Sequence, residues 1–579
     1  MSLSLALPRA TEKSYLQCSS SVFSALIAVL LLLFYNAAFF GAIIEQVDYS
    51  SVRGCVFILN VTLLLALLTF ILISAITWPY VAKPILSVLL LVAACVAYFM
   101  DSYGIAIHRL MIQNAVETDT SEVRGLINNT LAFYVVALGV VPSLLMSVTN
   151  VKFASVIREL WIKTKHILIA LLGCIVLIGS MSADYATFFR NHKNIRQMAN
   201  PVNVIAAGAS YLTTSRKPVV VQPIENDAHL NAFGKQQLKP TLFILVVGET
   251  ARADHFGING YNRATTPLLE QHNIINFTHV LSCGTETAVS VPCMFSALGR
   301  GNYSDNKAKA QEGLLDVIHH AGIPVLWRDN NSSCKGACDR VTYEDVQQLQ
   351  VPEVCNEREC FDEVLLHNLD EKVAAARVSK VIVLHQKGSH GPDYFNRYPT
   401  TSEYFTPACK VNQLQKCTTA EVINAFDNTI RYTDYFLHST LKWLATKDQD
   451  YNTALLYLSD HGESLGENHL YLHGMPYAIA PKEQKQVPFF LWFSNGFEKV
   501  NAIDSNCLRE ISNADYSHDN LFHTVLGLLN INTQVYKPNL DIIKPCKNAA
   551  ANYDLGAGGL AVGNLATDSL VVGDSAARK

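Results

Sequence analysis

Residues 456–468, LYLSDHGESLGEN, place Asp460, His461, Glu463 and Glu467 behind a short apolar run, with no Lys or Arg among them. A solvated loop after a strand accounts for any one of these acids alone. Another acid, Glu249, follows a second apolar run in LFILVVGET. Two carboxylates and an imidazole at strand ends would make a compact cation site, because oxygen ligands with one nitrogen suit zinc or a neighbouring divalent ion. A bound ion would also supply the positive charge that the stretch lacks. Asp460 and His461, at the strand end, are the ligands on this reading; Glu463 and Glu467 become supporting or helix-start acids.

A nucleophile is offered by SCGTETAVSVPCMF, where Thr285 follows a glycine and opens a predicted helix, with Cys283 and Cys293 able to staple the turn. A hydroxyl at a helix N-terminus beside a divalent metal is suited to attack a phosphoryl group. The metal lowers its pKa, and the helix amides favour anionic oxygens. Standing alone, Thr285 reads as a plain helix cap. Other polar residues follow apolar runs in the same way: Lys335 in RDNNSSCKGACDR, His390 in HQKGSHGPDY, and His473, near His469, in HLYLHG. Each is a surface loop residue when taken singly; their shared position is the signal.

The elements that must position these residues are compact apolar runs, LFILVV, IPVLW, KVIVLH, ALLYLS and VPFFLWF, separated by helix-length segments. Continuous β-rich runs of this kind predict a mainly parallel sheet covered on both faces. In open α/β sheets ligands gather at the carboxyl ends of the strands.

Length and composition add a membrane part. The chain has 579 residues, half of them hydrophobic, and a mean hydropathy of +0.18, too apolar for a uniformly soluble protein. Five apolar stretches, 22–44, 56–76, 85–100, 131–146 and 167–181, approach the roughly 17–25 residues that cross a bilayer. The first is too long for a signal-peptide core and lacks a clear cleavage site, so it is read as a helix that stays. Arg9, Lys13, Lys83, Lys152, Arg158, Lys163 and Lys165 fall on one side, against Arg53, Arg109 and Arg124 on the other. The basic side faces the cytoplasm, which puts everything after about residue 182 outside it.

Cysteine usage agrees. Of 14 Cys, Cys18, Cys55, Cys95 and Cys174 stand alone in the membrane part. The other ten come as neighbours: Cys283 and Cys293, Cys334 and Cys338, Cys355 and Cys360, Cys409 and Cys417, Cys507 and Cys546. Even, closely spaced cysteines predict disulfides in an oxidising compartment, and no repeated C-x-x-C supports a zinc cluster. The net charge of −4 and the absence of a basic tract give no sign of nucleic acid binding.

The predicted organisation is a five-helix transmembrane domain over 1–181 and a linker over 182–240. An α/β/α domain follows over 241–547, and a Gly- and Ala-rich mobile tail over 548–579. Within the linker, DYATFFRNHKNIRQMAN reads equally as an interfacial helix or a connector.

Over nearly its whole length the chain resembles the lipid phosphoethanolamine transferases of Gram-negative inner membranes, which include the lipid A enzymes and the mobile colistin-resistance enzymes. The motifs that carry the resemblance are VVGETARADHFGINGYNRATTPLL, SCGTETAVSVPCMFS, NNSSCKGACDRV, KGSHGPDYFNRYP and YLSDHGESLGENHLYLHG. It implies an alkaline-phosphatase/sulfatase-like domain beneath which five helices hold the site near headgroup level. It also implies zinc held by Glu249, Thr285, Asp460 and His461, with Thr285 as the nucleophile that carries phosphoethanolamine. Lys335, His390 and His473 would contact the transferred phosphate or a second zinc. In QNAVETDTSE the match also picks out Asn114, Thr118 and Glu122, whose spacing puts them on one helix face to receive the ethanolamine headgroup; a solvated face is the plain alternative.

The reaction so implied takes phosphoethanolamine from phosphatidylethanolamine to a lipid A phosphate. It lowers the negative charge of the outer surface and hence polymyxin binding. The enzyme would be a monomer, its catalytic domain in the periplasm. Rivals on the same fold act on lipopolysaccharide core, periplasmic glucan or protein, or transfer phosphoglycerol with manganese. A sulfatase lacks support because no C/S-x-P-x-R pattern surrounds Thr285. A transporter or sensor would need ionisable residues within the five stretches, which hold hardly any.

Overall fold

The computed structural model describes residues 16–547, apart from 118–122, 124, 125, 216–219, 225, 226, 358, 375 and 376. The expected mobile tail, and with it Arg9, Lys13, Thr118, Glu122 and Arg124, lies outside the described residues.

The first part is helical: α1 (Ser20–Phe34), α2 (Ala37–Gln46), α3 (Val52–Ile76), α4 (Ala82–Tyr103), α5 (Arg109–Glu117), α6 (Asn129–Val148) and α7 (Val156–Ser180). Four of these, α3, α4, α6 and α7, are long and apolar enough to cross a membrane. The pair α1 and α2, bent by 58°, makes a fifth candidate. One straight helix was expected over 22–44. The chain breaks at Asn36 instead, because its buried side-chain amide donates to the carbonyls of Leu31 at 2.9 Å and Asn200 at 2.8 Å. A side chain that takes a helical carbonyl offers the backbone another partner and ends the helix. The last span begins at Val156 and not at 167, so Arg158, Lys163 and Lys165 ride on its first turns. Lys163 is buried there, its ammonium donating to the Ser74 carbonyl at 3.0 Å.

The segment that follows is not an extended connector. It forms α8 (Ser182–Asn191) and α9 (Val202–Ser215). Tyr185 and Phe188 of α8 pack their rings against Phe57 of α3 at 5.5 and 5.2 Å.

Beyond it lies a seven-stranded sheet: β1 (Thr241–Gly248), β2 (Ile275–Phe277), β3 (Val325–Asp329), β4 (Thr342–Asp345), β5 (Lys380–His385), β6 (Asn452–Ser459) and β7 (Phe489–Phe493). The spatial order is β2-β7-β6-β1-β5-β3-β4. Only β7 runs against the others, pairing antiparallel with both β6 and β2. Every residue of β1 and β6 is buried. The side chains of β1 alternate between two apolar clusters, Phe243, Leu245 and Val247 on one face and Leu242, Ile244 and Val246 on the other. That alternation is why these strands read as continuous apolar runs.

The helix α10 (Thr287–Met294) covers the first face. The long helix α11 (Thr419–Ala445) covers the second with Val422, Phe426, Ile430 and Leu437. Thr418 and Glu421 close the N-terminus of α11 as a reciprocal capping box.

All five expected disulfides form, each between sequence neighbours. Cys283 is bonded to Cys293, Cys334 to Cys338, Cys355 to Cys360, Cys409 to Cys417, and Cys507 to Cys546. Cys334 and Cys338 join the apolar cluster on the α10 face, as does Cys546, whereas Cys360 and Cys409 are buried in the cluster under α11. The staples therefore tie loops down onto both faces of the sheet.

The two parts touch. The Tyr103 hydroxyl, at the end of α4, donates to the Asn412 carbonyl at 3.1 Å, and Gln413 donates to the Thr130 hydroxyl at 3.0 Å. Both partners in the sheet domain lie inside the Cys409–Cys417 loop.

Candidate active site

Parallel pairing of β1 with β6 sets Gly248 opposite Ser459, so the next residues, Glu249 and Asp460, leave the sheet side by side. With His461 they form one buried set whose ligand atoms all lie within 4.8 Å of one another. The His461 Nδ1 sits 2.9 Å from the Gly462 carbonyl. A carbonyl can only accept, so Nδ1 holds the proton and Nε2 turns its lone pair inward. That lone pair faces Glu249 Oε1 and Asp460 Oδ2, each at 3.4 Å. Asp460 Oδ1 accepts from the amides of Thr250 and His461, whereas Oδ2 is buried with no hydrogen-bond partner.

Three acceptors thus crowd together, and one of them, Asp460 Oδ2, has no donor at all, whereas Glu249 Oε1 accepts from the Thr250 hydroxyl at 2.6 Å. Burial pushes the Asp460 carboxyl well above its ordinary range, with the neighbouring Glu249 adding to the shift. Burial likewise lowers His461 to about 3. A divalent cation removes the conflict, and two carboxylates with one imidazole are a donor set suited to zinc. The residues present therefore fit a metal.

The nucleophile expectation needs a correction. Thr285 does not reach the metal set. Its hydroxyl donates to the Met475 carbonyl at 2.6 Å, and its own carbonyl accepts from Gly474 at 2.7 Å. Glu286 is extended (φ −156°, ψ 145°), and the helix starts one residue later. Thr287 is thus the hydroxyl at the head of α10. Its Oγ1 lies 3.1 Å from Glu249 Oε2, 3.2 Å from Oε1 and 3.3 Å from His461 Nε2. The loop is held tightly: the Ser290 hydroxyl accepts from Gly284 at 3.2 Å and donates to the Asp460 carbonyl at 2.5 Å. A Cβ on Gly284 would stand 2.8 Å from the Ser290 nitrogen, which explains the glycine. His518, also buried, accepts from the Cys283 amide and faces the Ser459 carbonyl, joining the loop before α10 to the loop after β6.

Around this centre Asn331 donates to Glu249 Oε2 at 2.7 Å and to the Gln386 carbonyl at 2.9 Å. No sequence feature distinguished Asn331 from its neighbours in NNSS. Glu463 is buried behind His473, its Oε2 at 3.3 Å from Nδ1. Burial alone would discharge that imidazole; the Glu463 carboxylate holds it up, to about 9. The His473 ring lies 4.4 Å from that of His461 and 5.4 Å from that of His390. Glu467, in contrast, has a cationic partner that its own stretch did not reveal: Arg252, at 2.5 Å. Thr287, Lys335, His390 and His473 line one end of a cavity of about 500 Å³. Among the described residues no second set of three metal-ligating side chains accompanies them.

Of the three residues expected at the headgroup, only Asn114 is described. It lines the same cavity, and its amide donates to the buried Glu286 carboxylate.

Family models match both parts: "Phosphoethanolamine transferase EptA/EptB" over 65–216 and "Sulfatase" over 241–531. The chain is 40% identical over 520 residues to phosphoethanolamine transferase EptA of Escherichia coli K12, covering 89% of this chain and 95% of that one. The chain belongs to the phosphoethanolamine transferase family. The phosphatidylethanolamine transferase Mcr-1 of E. coli is 38% identical over 539 residues, 91% of this chain and 98% of that one. The solved integral membrane lipooligosaccharide phosphoethanolamine transferase A of Neisseria meningitidis superposes with a TM-score of 0.88 at 36% identity, covering 92% and 99% of the two chains. For a phosphoethanolamine transferase the arrangement is coherent: membrane helices and a sulfatase-like domain meet at one cavity, with a metal set and a hydroxyl at its head.

Proposed function

We propose that this transferase moves phosphoethanolamine from phosphatidylethanolamine to a phosphate of lipid A, through a covalent intermediate on Thr287. The observation that carries the reading is the Thr287 hydroxyl, held between Glu249 and His461 at the head of a cavity whose other end is walled by membrane helices. The donor class follows the name of the Mcr-1 relative, and the acceptor class the lipooligosaccharide in the name of the Neisseria relative. Zinc is the proposed ion, held by Glu249, Asp460 and His461 with Thr287 beside them. The proposed organisation keeps 1–181 in a bacterial inner membrane, 182–240 as a linker and 241–547 as a periplasmic catalytic domain, acting as a monomer.

When bound, a divalent ion acidifies the Thr287 hydroxyl and polarises the phosphoryl oxygens. The remaining work belongs to side chains. Glu249 takes the hydroxyl proton. Thr287 Oγ1 forms a bond to phosphorus as the bond from phosphorus to the glycerol oxygen breaks, and His473, steadied by Glu463, gives that oxygen its proton. Lys335 and the first turn of α10 attract the phosphate's negative charge. Diacylglycerol then leaves. In the second step a protonated oxygen of a lipid A phosphate passes its proton to His473 and attacks the same phosphorus; the bond from phosphorus to Thr287 Oγ1 breaks, and Thr287 takes its proton back from Glu249. Each transfer adds an ammonium to the cell surface and weakens its hold on polymyxin.

The test is mass spectrometry of purified protein incubated with labelled phosphatidylethanolamine. A phosphoethanolamine mass is expected on the peptide containing Thr287. Thr287→Ala abolishes that mass and diacylglycerol release, while Thr285→Ala keeps the adduct. An adduct persisting on Thr287→Ala would sink the proposal. Lipid A from cells with and without the gene, compared by mass, decides the acceptor against core sugar, glucan or protein.

A further inference from the structure

The cavity below Thr287 changes character with depth. Its polar residues, Lys335, His390, His473 and Asn114, are at the nucleophile end; the far end is walled by Leu91, Val92, Cys95, Val96 and Phe99 of α4. These positions follow an i, i+1, i+4, i+5, i+8 spacing, which is one face of a helix. Leu91 lies three turns and more before the end of α4 at Tyr103, roughly 18 Å along the axis at 1.5 Å per residue. In a hydrocarbon layer of about 30 Å that is well inside the apolar zone. Val92 lines the cavity and is 43% exposed, and Val88, one turn earlier on α4, is 61% exposed. The apolar wall thus runs down α4 to a stretch whose side chains are open at that depth.

We infer that this lower section is an acyl-chain subsite, entered laterally past Val92, which holds a fatty-acyl tail of the donor while its phosphate sits at Thr287. The inference rests on the phospholipid-donor reading above. A phospholipid raised until its phosphate reaches a nucleophile in the sheet domain draws its upper methylenes out of the bilayer. Each methylene left in water weakens binding roughly four-fold. An apolar wall continuous from the membrane to Thr287 removes that cost without binding the reacting phosphate any differently. The subsite therefore governs which lipids are donors and leaves the chemistry to the residues at the head.

Cys95, at the middle of the wall, allows a test in the full-length protein. Cys95→Trp fills the subsite, and kcat/KM for diacylglycerol release is compared between a long-chain phosphatidylethanolamine in mixed micelles and dihexanoyl phosphatidylethanolamine in solution. The ratio of long-chain to short-chain kcat/KM is expected to fall about 10-fold or more. A second measurement does not depend on the variant folding: a long-chain donor with a diazirine near its tail end, irradiated with the unsubstituted protein, should attach to the α4 peptide containing Cys95. An unchanged ratio in a folded variant, or attachment confined to other helices, overturns the subsite. Failure of the donor reading looks different: the unsubstituted protein releases diacylglycerol from neither donor.

Discussion

At the scale of single residues, Glu249 is held from two sides, the Thr250 hydroxyl donating to Oε1 and the Asn331 amide to Oε2. Glu249, Asp460 and His461 follow long apolar runs, and the ends of buried strands are marked by the first polar residue after the run. Thr285 and Thr287 flank one glutamate, and the sequence does not say at which of them the helix begins. The deciding quantity is the extended φ of Glu286, which sends Thr285 to the Met475 carbonyl and leaves Thr287 at the metal set. Asn331 carried no signal either, because an amide in a polar loop looks the same whether or not it ends up against a buried carboxylate. Its bond to Glu249 orients a metal-binding oxygen, and losing such a partner costs about 10–100-fold in metal affinity. Asn331→Leu is expected to weaken binding of the proposed zinc by that factor in a competition titration with a chromophoric chelator. Affinity equal to the parent's would show that Glu249 needs no such support.

At the scale of elements, the buried central strands announced themselves and the edges did not. β1 and β6 are apolar throughout because both faces are covered, whereas β4, Thr-Tyr-Glu-Asp, lies at an edge and carries no apolar pattern. The break between α1 and α2 was invisible for a related reason: it depends on a partner, Asn200, 164 residues away. The turn after β5 shows how closely elements approach at the site. Gly388 has φ +54°, and a Cβ there would stand 2.6 Å from the Glu249 carbonyl oxygen. Gly388→Ala meets both the left-handed backbone penalty, about 1–3 kcal/mol, and a clash with the backbone of Glu249, itself a member of the metal set. A lower thermal midpoint together with reduced transferase activity is expected, read by calorimetry and diacylglycerol release. A variant as stable and active as the parent would mean that the turn moves aside freely.

At the scale of the whole molecule, the loop that leads into Thr287 is also a junction. Glu286, next to Thr287, accepts a hydrogen bond from Asn114 of α5, so the membrane part reaches the residue just before α10. A hydrogen bond to a buried carboxylate contributes about 1.5–3 kcal/mol. Glu286→Ala is expected to reduce turnover of membrane-embedded donor about 10-fold or more by that measure, with a smaller loss for a soluble short-chain donor. Equal losses on both would make Glu286 a support of the loop alone. The parallel pairing of β1 with β6 carries a consequence for biogenesis. Some 210 residues separate the Thr250 amide from the Asp460 carboxylate it contacts, so a growing chain makes one ligand early and waits for the other two. The Cys283–Cys293 staple, lying wholly between them, can be closed while the site is still incomplete. Ion loading is thereby placed among the last events of maturation, and a chain truncated before β6 would be stapled yet permanently idle.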